Sequence, residues 1–287
     1  MGTSQPSVQL GGEYLTRDSA VVMTVAVVAL DLLASRPGSP AARGGRYSGA
    51  IAALAIARVA GVSWAELGLG RREVGSGLRV GALGGACAIT AVSAGAAMPA
   101  TRGYFVDKRG AVPGGCANLV SGLARIAFAE VPPEELTYRS ALPALWTGDG
   151  WSRASSVALS SVLFGVSHVL PTLSSMGQTA LHPRLAHRPL RQVAFVAGNV
   201  AVTGIAGAGF AWLRLRSGSV LAPLLVHAAL NGSALLASGI VQRPGRETTA
   251  PARLDGAPAR RLRRPHARLT PVGPPGRSHF GRHRRTG

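Results

Sequence analysis

The sequence predicts an all-α fold, a polytopic bundle of about seven to eight transmembrane helices. The chain has 287 residues, of which 47% are hydrophobic and only 15% are charged. A soluble domain usually carries about 25% charged residues. Several apolar runs approach the roughly 20 residues that a helix needs to cross a bilayer, and Arg-rich connectors separate them. These observations favour a membrane protein over the alternative, a large soluble helical core.

The predicted helical segments follow one another without an internal repeat. The first is interpreted as a retained anchor rather than a cleavable signal peptide, because Glu13, Arg17 and Asp18 precede it and no small-residue cleavage site follows cleanly. The third is rich in Gly, Ala and Ser, which permits close approach of neighbouring helices. The segments run over residues 19–35, 47–62, 78–98, 116–130, from 133 onwards, 153–170, 192–213 and 220–241.

Charged and helix-breaking residues predict where these segments end. Arg58, near the end of the second segment, is expected to snorkel to the interface. Pro132-Pro133 is expected to break one helix and start another, since Pro is tolerated in a first turn but not in a helix interior. Glu134 and Glu135 then fall in the opening turn of the new helix. The connecting stretches are residues 36–46, the amphiphilic surface stretch 64–79, the polar loop 100–115, the loop 182–191 and the turn at Arg214 and Arg216.

The chain divides into an integral membrane domain over residues 1–242 and a basic tail over residues 243–287. Of the +19 net charge, a large share lies in this tail, which has twelve arginines between Arg243 and Arg285. The tail is rich in Pro and Gly and shows no periodic apolar face. A disordered segment near an anionic membrane surface is therefore favoured, and no nucleic-acid partner is expected. The distribution of basic residues predicts a cytoplasmic tail.

Three short polar signatures lie inside or against the apolar segments. Ionisable side chains in hydrocarbon cost about 2.5–3.5 kcal/mol each, so they persist there mainly when they pair or perform chemistry. The signatures are Glu134-Glu135-Leu-Thr-Tyr-Arg139, Phe164-Gly-Val-Ser-His168 and His227-Ala-Ala-Leu-Asn231.

The first signature places the two carboxylates of Glu134 and Glu135 on different faces of a helix. On a helix that starts near Pro133, Glu135 and Arg139 are four residues apart and share a face. Glu134 points about 100° away from Glu135. This geometry predicts that Glu135 pairs with Arg139, while Glu134 is left to face a water. The alternative is that acidic residues in a first helical turn only complement the helix dipole.

The two histidines of the other signatures are the ones, among seven in the chain, that lie in apolar segments. Peptide hydrolysis requires a base for water and a donor for the oxyanion of the tetrahedral intermediate. Glu134 with His168 suits the first task, and His227 with Asn231 suits the second. The alternatives are a hydrogen-bonded core histidine and an asparagine that only bonds a neighbouring helix.

The cofactor stays open at this point. The chain has no His-Glu-x-x-His zinc motif, and no serine occupies a nucleophile-elbow pattern. A divalent metal such as zinc, held by Glu134, His168 and His227, is chemically possible, since Glu with two His is a known catalytic set. A metal-free mechanism is equally compatible with the residues.

Glu-Glu-x-x-x-Arg, Phe-x-x-x-His and His-x-x-x-Asn, in this order on successive apolar segments, resemble the signatures of the CPBP family. This is the CAAX-protease and bacteriocin-processing family of intramembrane endopeptidases, also called type II CAAX or Abi proteins. The resemblance covers residues 129–237 within a core of about 117–240, and the run from Gly209 to His227 resembles the family's lead-in to its last motif. Ser140 departs from the glycine that commonly follows the motif arginine.

The resemblance implies an intramembrane endopeptidase with a cavity that opens toward the cytosol and a peptide or lipidated protein as substrate. It assigns Glu134 and His168 to water activation, His227 and Asn231 to oxyanion stabilisation, and the supporting residues Glu135, Arg139 and Phe164 to organising the site. The expected location is a bacterial plasma membrane. Two alternatives stand beside this interpretation: a non-catalytic member, such as a bacteriocin immunity or assembly factor, and a basic protein whose function resides in the tail.

Overall fold

The computed structural model describes residues 24–26, 29, 45–106, 116–179 and 182–242. Within these ranges every regular element is a helix and no strand occurs, which confirms the all-α prediction. The basic tail and most of the first predicted segment lie outside the described residues. The α-helices are α1 (Gly45–Val59), α2 (Val74–Ala97), α3 (Pro99–Arg102), α4 (Cys116–Arg125), α5 (Val131–Glu135), α6 (Leu142–Gly148), α7 (Arg153–Ser167), α8 (Val169–Ser175), α9 (His182–Leu185), α10 (Pro189–Ser217) and α11 (Leu221–Val241).

Four helical segments of the described chain are long and apolar enough to cross a membrane. Large apolar side chains on them face outward, for example Leu83, which is 71% exposed, and Ile205, which is 74% exposed. Exposed apolar surface of this kind is typical of helices in contact with lipid. The predicted number of about seven to eight spans is not confirmed. The four segments are Val74–Ala97, Arg153–Gln178, Pro189–Ser217 and Leu221–Val241.

Helix α2 packs closely along α11 through a stripe of small residues. Gly77, Gly81 and Gly85 are four residues apart and buried on one face of α2. A Cβ atom on Gly81 would lie only 2.8 Å from Leu225 Cδ1 on α11. The close approach predicted from the small residues of this segment is therefore observed, and it holds α11 in place.

The chain from Cys116 to Gly148 stays helical through Pro132-Pro133, so the predicted break is wrong as a break, although a new α-helical turn does begin at Val131. Two π-helical segments, Ile126–Glu130 and Leu136–Ala141, flank α5. The wider turn before the prolines accommodates their rings, which would otherwise clash with carbonyl groups one turn earlier. Because Pro132 has no N–H, the Phe128 carbonyl accepts a hydrogen bond from the Tyr47 hydroxyl of α1 instead.

An aromatic cluster fills the space between the π-helical segment Leu136–Ala141, α6, α7, α10 and α11. Tyr138, Trp146, Phe164 and Phe210 are buried and pack together with neighbouring aliphatic side chains. Phe164 meets Tyr138 edge to face, with ring centroids 5.5 Å apart. The polar motif residues pack against this apolar cluster.

The connection between α1 and α2 is anchored to the turn between α10 and α11. Gly218 ends α10 with a φ of 71°, a left-handed conformation that glycine adopts without strain. Two residues later the Val220 N–H donates to the Gly68 carbonyl at 3.0 Å. The Ser140 hydroxyl donates to the neighbouring Leu67 carbonyl at 2.6 Å. The departure at Ser140 therefore has a structural role, which is to tie the motif helix to this connection.

Gly165 is expected to be essential for the packing of α7 on α10. A Cβ atom there would clash with the Val200 carbonyl oxygen and lie 3.3 Å from the Gly204 backbone. Gly165→Ala should lower the Tm measured by circular dichroism in detergent micelles, since overpacking costs about 1–3 kcal/mol. Gly209→Ala on α10 is the matched control, because its Cβ would meet nothing within 4 Å. Equal Tm values for the two variants would contradict this packing.

Candidate active site

The centre of the site is a hydrogen bond between α5 and α11. Glu135 is fully buried, and its Oε1 lies 2.8 Å from Nδ1 of His227, which is itself 4% exposed. A carboxylate can only accept, so Nδ1 of the imidazole carries the shared proton and the ring tautomer is fixed. The bond joins residues 92 positions apart in the chain. It therefore fixes the position of the third motif relative to the first.

Arg139 completes the buried pair with Glu135. Its Nε lies 3.5 Å from Glu135 Oε2, as the four-residue spacing predicts, and the side chain is 1% exposed. The guanidinium lies over the Phe164 ring at 3.9 Å from the centroid, a favourable cation–π position. Gly207 on α10 makes room for it, since a Cβ there would lie 3.1 Å from Arg139 Nη2.

Glu134 lies on the other side of the same imidazole. Its Oε2 is 3.9 Å from His227 Nε2, and its Oε1 accepts a hydrogen bond from Arg46 Nη1 at 3.0 Å. Adjacent residues on a helix diverge by about 100°, yet both carboxylates reach one histidine because its two nitrogens lie on opposite edges of the ring. At 3.9 Å the contact between Glu134 and His227 is longer than a hydrogen bond, so it is an electrostatic contact.

The imidazole ring of His227 has aromatic neighbours in addition to the two carboxylates at its nitrogens. The Phe210 ring stacks on it with centroids 4.7 Å apart and planes 21° apart. Phe164 approaches it edge-on at 5.9 Å. Aromatic contacts of this kind restrict rotation of the imidazole, so its Nε2 has a defined direction.

His168 follows directly after α7 ends at Ser167. Its Nδ1 lies 2.7 Å from the Phe164 carbonyl oxygen, one turn earlier. Since the carbonyl only accepts, this nitrogen donates, and in the neutral ring Nε2 is then the unprotonated nitrogen. The ring also contacts the Phe164 side chain, with centroids 4.6 Å apart. A histidine in this tautomer is suited to accept a proton at Nε2.

A cavity of about 580 Å³ brings His168, His227 and Asn231 together, with Phe164 and Phe210 in its wall. Glu134 does not line this cavity and borders it through His227. The structure thus assembles the predicted residues into two groups, one around His227 and one around the cavity. His227 belongs to both.

Several residues that the sequence did not single out belong to the site. Arg46 was assigned to a connector, but it lies in the first turn of α1 and contacts Glu134. Phe210 and Gly207 shape the surroundings of His227 and Arg139. Phe210 lies in the run that resembles the family lead-in, which was a usable signal. Nothing in the local sequence distinguishes Arg46 from the other arginines.

The metal set considered from sequence is not assembled. Among the residues that the structure describes, no group of three or more His, Cys, Asp or Glu side chains is placed to hold a metal ion. Nδ1 of His227 is engaged by Glu135 and Nδ1 of His168 by a backbone carbonyl, so Nε2 is the nitrogen through which either ring could bind an ion. Because the described donors do not converge as a group of three, no chemical step is derived through a metal ion.

Fold and site together define a helical membrane protein in which two carboxylates contact a buried histidine at the wall of a cavity. Residues 116–233, which include all three motifs, match the family described as Rce1-like, type II CAAX prenyl endopeptidase Rce1-like. Over this segment, the match confirms the family resemblance predicted from the three motifs. No curated protein and no solved structure matched the chain significantly. The four apolar helices and this match support an integral membrane protein with a segment similar to CAAX-type proteases.

Glu135→Ala should destabilise the fold strongly, because it leaves Arg139 and His227 buried without their shared partner. Breaking a buried ion pair costs about 3–5 kcal/mol. The matched control is Glu130→Ala, which breaks the ion pair with Arg125, whose side chain is 62% exposed; such pairs contribute about 0–1 kcal/mol. Chemical unfolding in mixed micelles measures both. A similar loss of unfolding free energy in the two variants would show that the contacts of Glu135 are not central to the stability of the fold.

Proposed function

We propose that this protein is an intramembrane endopeptidase that hydrolyses peptide bonds of membrane-associated substrates with a water activated by Glu134 and His168. His227 and Asn231 stabilise the oxyanion, while Glu135 and Arg139 hold His227 in place. The proposed setting is a bacterial plasma membrane with the tail on the cytoplasmic side.

One observation carries the proposal: His227 lies between two carboxylates and also borders a cavity shared with His168 and Asn231. Glu135 is sufficient to orient the ring, and Glu134, which also pairs with Arg46, lies at the Nε2 edge. A second carboxylate beside an oriented histidine, at the wall of a cavity, is typical of a hydrolytic site.

In the first step, a water beside Glu134 and His168 loses a proton to this pair and attacks the carbonyl carbon of the scissile peptide bond. Nε2 is the acceptor position of His168, since Nδ1 donates to the Phe164 carbonyl. A positioned base contributes about 10²–10⁴-fold to such a step. The product of the step is a tetrahedral intermediate with a negative oxygen.

In the second step, the negative oxygen accepts hydrogen bonds from the Asn231 amide and from an N–H at His227 Nε2. Because Nδ1 of His227 already donates to Glu135, a donating Nε2 means that the ring carries both protons. Return of the first proton to the amine then breaks the C–N bond and releases an acid and an amine.

The cavity wall suits a substrate with an apolar part. Tyr104, Phe105, Ile126 and Leu235 line it alongside the polar groups. A lipid-modified or apolar peptide segment is therefore the proposed substrate class, with the scissile bond near His168 and Asn231.

Removal of the proposed catalytic groups should abolish turnover without unfolding the protein. We expect Glu134→Gln and His168→Ala to lower kcat by about 10²–10⁴-fold, and Asn231→Ala by about 10²–10³-fold. Cleavage of a fluorogenic CAAX-type peptide by protein in liposomes measures the rates. His182→Ala is the matched control, because His182 is an exposed histidine on α9. This variant should cleave the peptide at the wild-type rate.

Two outcomes would contradict the proposal. Wild-type rates for Glu134→Gln and His168→Ala would remove the assignment of the site. A cellular phenotype that survives in every variant, together with no cleavage by the wild type, would favour the non-catalytic immunity or assembly role.

Arg46 should act as a positioning residue for Glu134, because the two form a half-buried ion pair at 3.0 Å. Arg46→Gln is expected to lower kcat about tenfold with little change in KM, the size of one charge-assisted hydrogen bond. Arg46→Lys should restore part of the rate, since it keeps the charge. Arg58→Gln on the same helix is the control, as Arg58 donates to the Val62 carbonyl. A matching fall for Arg58→Gln would indicate a general effect of α1.

A further inference from the structure

A second cavity lies at the ends of the helices, away from the candidate active site. It has a volume of about 690 Å³ and is bordered by the α1–α2 connection, the last turns of α6 and α10, and the first turns of α7. No residue lines both cavities. Along α7, Ser156 of this cavity and His168 of the other are twelve residues apart, about 18 Å. The second cavity, called the arginine cleft below, is thus a separate site.

Unpartnered polar groups concentrate at the arginine cleft. In the described part of the chain, buried side-chain atoms without a hydrogen-bond partner are Glu135 Oε2 and five atoms of residues that line this cleft. A buried polar atom without a partner costs about 1–3 kcal/mol, so such groups are normally satisfied by protein, water or ligand. The five atoms are Arg139 Nη1, Arg139 Nη2, Ser156 Oγ, Arg214 Nε and Glu73 Oε2.

These unpartnered atoms are mostly donors. Arg139 is 3% exposed and Ser156 is 1% exposed, so both donors are buried side chains with restricted motion. Arg153 adds a third guanidinium to the lining, beside Arg139 and Arg214. Two carboxylates, Glu66 and Glu73, also line the cleft, which leaves one net positive charge (three minus two). Glu66 already accepts a hydrogen bond from the Ser63 N–H at 2.7 Å.

The chemistry of this lining selects an oxyanion with several acceptor oxygens. A free phosphate or phosphomonoester offers three or more acceptor oxygens, and a phosphodiester headgroup offers two charged oxygens and two ester oxygens. Both pair well with guanidinium groups, whereas a carboxylate offers two oxygens in all. The exposed side chains at the rim, Trp151 and Leu215, are apolar and continue onto the outer surface of the helices. Tryptophan at helix ends is typical of the headgroup layer of a bilayer, where phosphate groups lie.

We propose that the arginine cleft binds a phosphate group, carried either by a membrane lipid headgroup or by a small free phosphate. Arg139, Arg153 and Ser156 donate to its oxygens. Arg139 is the link to the candidate active site, because the same guanidinium pairs with Glu135. The binding itself does not depend on the proposed hydrolysis.

The experiment measures binding to the full-length protein, purified in detergent and phosphate-free buffer, by isothermal titration calorimetry. The probes are inorganic phosphate, dihexanoyl phosphatidylglycerol, and dihexanoylglycerol, which lacks the phosphate. We expect saturable binding of a phosphate-bearing probe and none of dihexanoylglycerol. Binding of inorganic phosphate assigns a free phosphate, while binding of the phospholipid alone assigns a headgroup.

Variants test where the phosphate binds. Ser156→Ala and Arg153→Gln should weaken binding about tenfold or more, the effect of one lost hydrogen bond to a charged group. Arg216→Gln should bind as the wild type, because Arg216 is an exposed arginine of the same helix end outside the cleft. Ser156→Cys, which keeps the volume but weakens the donor, replaces Ser156→Ala if that variant does not elute as a folded protein.

Three results would overturn the proposal. They are no saturable binding of either phosphate-bearing probe, equal affinity in the wild type and the cleft variants, and tighter binding of a peptide with a free C-terminal carboxylate. Since binding is read without substrate cleavage, a failure here is distinguishable from a failure of the proposed hydrolysis.

Discussion

The buried hydrogen bond between Glu135 and His227 is the interaction on which the site depends. It connects the first and third motifs at 2.8 Å, where Glu135 is fully buried and His227 is 4% exposed. A carboxylate in such a place is tolerated only because Arg139 and the imidazole share its charge. The bond fixes the tautomer of His227 and so defines which edge of the ring meets Glu134 and the cavity.

Backbone features allow this group of charges to form within an apolar bundle. Two π-helical segments flank α5 and carry the motif helix through Pro132-Pro133 without a break. Gly207 leaves space for the guanidinium of Arg139, and the glycine stripe of α2 lets α11 approach. Phe164 and Phe210 then pack against the imidazole and restrict its rotation. The small residues thus allow helices and side chains to pack closely, and the aromatic residues fix the orientation of the His227 ring.

The sequence predicted the motif residues, the Glu135–Arg139 pair and the all-α class, because these follow from spacing and polarity that are local. It did not predict that both carboxylates meet one histidine, since this depends on how α5 and α11 cross. Arg46 was missed for the same reason: its contact with Glu134 joins positions 88 residues apart. The proline pair was misread because a π-helical turn, which has no simple sequence pattern, removes the clash that a regular α-helix would suffer.

The central claim is that Glu135 holds His227 with a proton on Nδ1 and thereby presents Nε2 to Glu134 and the cavity. ¹⁵N NMR of histidine-labelled protein in nanodiscs tests it most directly, with His227 assigned by comparison with His227→Gln. The account predicts a protonated Nδ1 for His227 in the wild type and a clear change of that resonance in Glu135→Gln. An unprotonated Nδ1, or a resonance that Glu135→Gln leaves unchanged, would contradict it.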